Sequence, residues 1–186
     1  MRLVGGELGG RTIRTGQGPG YRPATARVRE SLFSMLDSLG IDWLGLDVLD
    51  GFAGSGALGF EALSRGARRA VFVERSDKAA KIIRANADLL GLRQDRYMVF
   101  RDDVVRFFLQ GPPMEFGLCF LDPPYGLGLL EPALEALIRS QRLQSGGIVC
   151  AEIERDLEVH LPRDHGLSEL KDREYGQTRI RIWTRN

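Results

Sequence analysis

Five short apolar runs, each followed by a helix-forming or turn-rich stretch, constrain this chain more than any other feature. Residues 46–50, 70–74, 97–100, 116–121 and 148–152 are each of strand length and bounded by turn residues. Helices are expected at 58–65 and 104–109. A third is capped by Ser76, carries Ala79, Ile83, Ala87 and Leu90 on its apolar positions, and stops at Gly91. A fourth is marked by Leu130, Ala133, Leu134, Leu137 and Ile138. Parallel strands need such crossovers, so the alternation predicts an α/β fold with a parallel sheet covered on both faces. Two β-rich runs, 167–175 and 178–184, flank Gly176 and predict a closing hairpin.

Composition narrows the class. The chain has 186 residues, 43% apolar and 27% charged, which suits one ordinary domain. No apolar run reaches bilayer length and the first residues lack the core of a signal peptide, so a cytoplasmic protein without membrane contact is expected. Cys119 and Cys150 sit in strand-like runs and read as small buried residues. No Cys/His cluster has zinc spacing, so no metal is expected, and His160 and His165 lie in a polar stretch with no catalytic role assigned.

The first 40 residues read as an extension: a glycine-rich β-hairpin from Leu3-Val4 and residues 11–14, a loop over 16–23, and a helix over 26–39. Val28, Leu32, Leu36 and Leu39 form its stripe, Thr25 its N-cap and Gly40 its stop. The net charge is only +1, but arginines crowd both chain ends. Arg11, Arg22, Arg27 and Arg29 are candidates for contacting a polyanion; solvated surface arginines are the competing reading. Residues 1–40 and 41–186 are expected to fold as one unit.

Two motifs carry the chemistry. Gly54-Ser55-Gly56-Ala57-Leu58-Gly59 is G-x-G-x-x-G between a strand and a helix, and Glu74 ends the next strand, where a ribose-binding carboxylate belongs. The loop alone fits NAD or S-adenosylmethionine, and glycines also permit plain tight turns. Asp50, ahead of the glycines, would repel a pyrophosphate but favour an ammonium and a sulfonium. Asp103 ends the third strand and can accept from an adenine amino group. The fourth strand ends in Asp122-Pro123-Pro124-Tyr125. Paired prolines stiffen the exit. Asp122 and the Pro123 carbonyl become adjacent acceptors and Tyr125 offers an aromatic face, a set that fits an exocyclic amino group on a planar base. A packed Pro-rich turn remains the alternative.

Together, residues 48–56 and Asp122-Pro123-Pro124-Tyr125 resemble class I S-adenosylmethionine-dependent methyltransferases acting on base amino groups. Arg2-Leu3-Val4-Gly5-Gly6, Arg22-Pro23-Ala24-Thr25, residues 27–33 and residues 61–67 extend the likeness to the bacterial small-subunit ribosomal RNA guanine-N2 methyltransferases of the RsmD family. Gly51 stands where some members carry cysteine, and Ala24 and Ala26 stand where polar residues are expected.

The resemblance implies a Rossmann-like, seven-stranded, mostly parallel sheet with an antiparallel last strand. It implies S-adenosyl-L-methionine held by Asp50, Phe52, Gly54, Gly56, Glu74, Asp103 and Asp122. Asp122, Pro123 and Tyr125 would hold the guanine amino group and base. The substrate would be 16S rRNA on partly assembled 30S particles, with ribosomal proteins near the target. A DNA or RNA adenine-N6 methyltransferase would use the same loop.

Overall fold

The computed structural model describes residues 1–16, 26–162 and 165–186. The elements run α1 (Ala26–Ser38), β1 (Asp47–Gly51), α2 (Ala57–Ser64), β2 (Arg69–Val73), α3 (Asp77–Leu89) and β3 (Tyr97–Phe100). They continue as α4 (Val104–Gln110), β4 (Phe116–Leu121), α5 (Leu130–Ser140), β5 (Leu143–Glu154), β6 (Leu167–Tyr175) and β7 (Thr178–Arg185). One seven-stranded sheet results, in the order β3-β2-β1-β4-β5-β7-β6. The first five strands are parallel, and β7 runs antiparallel to both β5 and β6. This is the Rossmann-like architecture with an antiparallel last strand.

Side-chain alternation divides the core into two faces. Leu49, Cys119, Leu121, Val149 and Ala151 point to the side covered by α4 and α5, where Phe107, Phe108, Leu134 and Leu137 meet them. Val48, Leu118, Phe120 and Cys150 point to the opposite side, under Val28, Leu32, Phe33 and Leu36 of α1 and Leu58 and Ala62 of α2. Both faces of the central strands are covered, which explains their unbroken apolar runs. Cys119 and Cys150 are buried free thiols on opposite faces. No helix among the described residues is long and apolar enough to cross a membrane.

The strand starts at one end differ from the sequence reading. β5 begins at Leu143 rather than 148, because Leu143 pairs with Phe116 before the register shifts to Leu118 opposite Ile148. The expected N-terminal hairpin forms as a short ladder: Arg2 bridges Thr12, the Leu3 amide donates to the Arg11 carbonyl at 2.9 Å, the Gly10 amide to the Leu3 carbonyl at 2.9 Å and the Ile13 amide to the Met1 carbonyl at 2.8 Å. The buried carboxylate of Glu61 accepts the Val4 and Gly5 amides at 2.7 Å each, so part of this segment bonds to α2 instead of to a partner strand. Ser64 Oγ accepts the Leu8 amide at 2.9 Å, and Asn86 Oδ1 accepts that of Arg14 at 2.7 Å. The Asn86 amide group also donates to the Ser55 carbonyl at 3.0 Å, tying the first residues to the glycine loop.

Candidate active site

The glycine loop leaves β1 and enters α2 through backbone that side chains rarely adopt: Phe52 at φ 63°, Gly54 at 56° and Gly56 at 81°. A non-glycine residue held there is strained, a feature that concentrates at functional sites. Gly59 serves packing: a Cβ on it would stand 2.3 Å from Phe72 Cε1, so its absence lets α2 lie close on β2. Glu74, just past β2, accepts the Gly54 amide at 2.8 Å and the Ser76 amide at 2.7 Å. The carboxylate expected beside a ribose thus also fixes the loop, and each of its oxygens retains further acceptor capacity. Asp103 caps α4, its Oδ1 accepting from the Val105 and Arg106 amides at 3.0 and 3.2 Å.

Three carboxylates stand at one level near the carboxyl ends of three adjacent strands, on the α1/α2 face. Asp50 is opposite Phe120, and Phe120 is opposite Cys150. Asp122 follows Phe120 by two residues and Glu152 follows Cys150 by two, so the pleat carries Asp50, Asp122 and Glu152 to the same side. Asp50 is 1% exposed, and its Oδ2 accepts the Gly59 amide at 2.9 Å. Burial, reinforced by the charge of Glu74 and partly opposed by that hydrogen bond, pushes its pKa up to about 8. Asp122 keeps some surface open, yet desolvation, then the charges of Glu152 and Asp50, raise it well above the carboxylate range. Burial likewise lifts Glu152 to about 7, against the opposing pull of Arg29.

The Asp122-Pro123-Pro124-Tyr125 turn is pinned from the far side. The Tyr125 hydroxyl and Thr178 Oγ1 hydrogen-bond at 2.9 Å, and the Gly126 amide donates to Glu154. Thr178 opposes Glu154 across β5 and β7, so one corner of the sheet holds both anchors. Partial burial, opposed by the Thr178 bond, lifts the Tyr125 pKa to about 12, leaving a neutral phenol. The sequence gives no sign of Thr178, which lies 53 residues away. Glu152 carries a weak sign: a carboxylate closing an apolar strand.

The arginines separate. Arg27 is exposed on the first turn of α1. Arg11 is exposed as a residue, but its guanidinium donates to the Leu90 and Leu89 carbonyls at 2.8 and 2.6 Å, capping the end of α3. Arg22, like the expected cap Thr25, lies outside the described residues. Arg29 is 2% exposed and bonds the Arg2 carbonyl at 3.0 Å, which corrects its assignment as a surface phosphate contact. It lies three and four residues before Leu32 and Phe33, on the buried side of α1.

Comparison with known proteins places the whole chain. Residues 1–184 match the family model described as conserved hypothetical protein 95. The ribosomal RNA small subunit methyltransferase D of Escherichia coli is 34% identical over 187 residues, covering 100% of this chain and 90% of the relative. The Haemophilus influenzae protein of that name is 31% identical over 185 residues, covering 98% and 93%. A solved structure from Escherichia coli, yhhF, described as a methyltransferase, superposes with a TM-score of 0.84 at 32% identity, covering 100% of this chain and 98% of that one.

Proposed function

This chain belongs to the family of the ribosomal RNA small subunit methyltransferases D, and from that membership we propose that it transfers a methyl group from S-adenosylmethionine to the N2 amino group of a guanine in 16S rRNA, on the 30S subunit or its assembly intermediates. The observation that carries the reading is the pair of strand-end carboxylates, Asp50 and Asp122, beside a strained glycine loop. Buried carboxylates raised this far toward protonation are matched by a cationic ligand rather than by an anionic pyrophosphate. The donor set therefore fits S-adenosylmethionine, with Asp50 toward the charged methionine end, Glu74 toward the ribose hydroxyls, Asp103 toward the adenine and Phe52 against the loop side of the pocket. When bound, the cofactor supplies an activated methyl on a sulfonium.

The chain's own residues do the rest by alignment and electrostatics. A guanine amino nitrogen is a poor nucleophile because its lone pair is delocalised into the ring. Asp122 and the Pro123 carbonyl accept its two hydrogens and let the nitrogen pyramidalise. Tyr125 stacks on the base once it has left its own stack. The turn is rigid before RNA arrives, through its two prolines and the Thr178 and Glu154 anchors. Arg27 is the described member of the arginine set best placed to meet phosphate. Ribosomal proteins near the target complete the proposed surroundings.

The test is methyl transfer from labelled cofactor to 30S particles from cells lacking this protein, followed by digestion of the rRNA to nucleosides. N2-methylguanosine in 16S rRNA is the expected product. N6-methyladenosine, or no label in 16S rRNA, would overturn the reading.

A further inference from the structure

Glu152 has no part in the chemistry above, yet it is placed as if it should. It is 7% exposed, lies in β5 at the level where Asp122 leaves the neighbouring β4, and its Oε2 has no hydrogen-bond partner among the described residues. Leu121 is opposite Ala151 in the parallel ladder, so Asp122 and Glu152 continue one register on strands about 4.8 Å apart. A buried acceptor left unbonded costs about 1–3 kcal/mol, so a purely structural role does not account for it.

We propose that Glu152 is a positioning residue for methyl transfer: it shares a proton with Asp122 across the two strands, and the pair receives the proton that the target nitrogen must lose. This rests on the function proposed above. The N–C bond forms from the nitrogen lone pair, and the S–C pair stays on sulfur. One N–H bond breaks, and its proton goes to the Asp122–Glu152 pair. The positive charge on sulfur disappears as one negative charge on the pair is neutralised, so the net charge of the site does not change.

Two like charges so close in a largely desolvated site do not both persist without a cation. Among the described residues, the groups facing the pair are Asp50 from β1, Arg29 from α1 and Tyr125, which Glu154 in turn faces at the β5/β7 corner. Arg29 is the cation among them. Its pull favours charge on Glu152, which in turn keeps the proton on Asp122. A sulfonium arriving beside Asp122 frees that proton and leaves the pair ready to take another.

Two readings test this. The first is calorimetric titration at pH 7 in buffers of different ionisation enthalpy, comparing S-adenosylmethionine with S-adenosylhomocysteine, which lacks the sulfonium. The wild-type protein should release more protons with the sulfonium, and Glu152→Gln should lose that excess. The second is the pH profile of single-turnover transfer to 30S particles at saturating cofactor. Without the neighbouring charge Asp122 ionises more easily, so the acidic limb of Glu152→Gln should lie roughly one pH unit lower.

An equal proton count in wild type and variant overturns the proposal, wherever the limb lies. If the variant does not fold, the wild-type arm decides, and no excess over S-adenosylhomocysteine overturns it. The titration needs no RNA. Methylated 30S with no excess proton therefore sinks this inference alone, whereas an excess without methylation sinks the proposed substrate.

Discussion

Replacing Asp50 with asparagine should stabilise the cofactor-free protein while removing its affinity for S-adenosylmethionine. Asp50 is buried and its pKa is lifted from 3.8 to about 8. The folded chain therefore holds this proton more tightly than the unfolded chain. Stability falls as pH rises from the unfolded value toward the folded one, and the cost levels off above about 8. At pH 7 the gap between 3.8 and 7 corresponds to an upper limit of about 4 kcal/mol. Relaxation of the site reduces it, so a difference of roughly 2 kcal/mol is expected, or about 4–8 °C in Tm for a chain of this size. Asparagine keeps an oxygen for the Gly59 amide and does not titrate. The assay is thermal unfolding of wild type and Asp50→Asn at pH 5, 6, 7 and 8, without and with cofactor. The variant's advantage should grow with pH, and only wild type should gain Tm from the cofactor. A difference that does not change with pH, or a variant that binds as tightly as wild type, would refute the assignment of a buried carboxyl that ionises for a cation.

Other substitutions probe the remaining parts. Tyr125→Phe keeps the stacking face but loses the bond to Thr178, a net contact of about 0.5–1.5 kcal/mol, so transfer should fall no more than about tenfold. Thr178→Ala should match it, whereas Tyr125→Ala should be far worse; equal damage from Phe and Ala at 125 would remove the stacking role. Gly59→Ala puts a Cβ 2.3 Å from Phe72 and should destabilise by about 1–3 kcal/mol in denaturant unfolding; no loss would mean that the helix shifts freely. Glu74→Gln should fold yet bind S-adenosylmethionine more weakly by calorimetry, and unchanged affinity would remove Glu74 from the ribose role.

The sheet was legible because strands buried on both faces spell themselves out as apolar runs, and β4 starts and stops where its run does. Asp50, Glu74 and Asp122 were legible for a related reason: a carboxylate ending such a run lies at the carboxyl edge of the sheet. Periodicity alone places Arg29 beside Leu32 and Phe33, but reading the arginines as a cluster of charge hid the burial that their spacing implies. Thr178 and Glu154 were not legible, because their contacts to Tyr125 and Gly126 arise from strand pairing far along the chain. Glu61 and Asn86 were missed for the same reason: each bonds backbone groups of the first fourteen residues across more than fifty positions.

The proposed mechanism turns on Asp122 as an acceptor for the target amino group. Its most direct test is single-turnover methyl transfer by Asp122→Ala to 30S particles at saturating S-adenosylmethionine. Losing one placed electrostatic contact of this kind costs on the order of a hundredfold or more in rate. That loss is expected in a variant that still folds and still binds cofactor, and transfer at the wild-type rate would contradict the acceptor role.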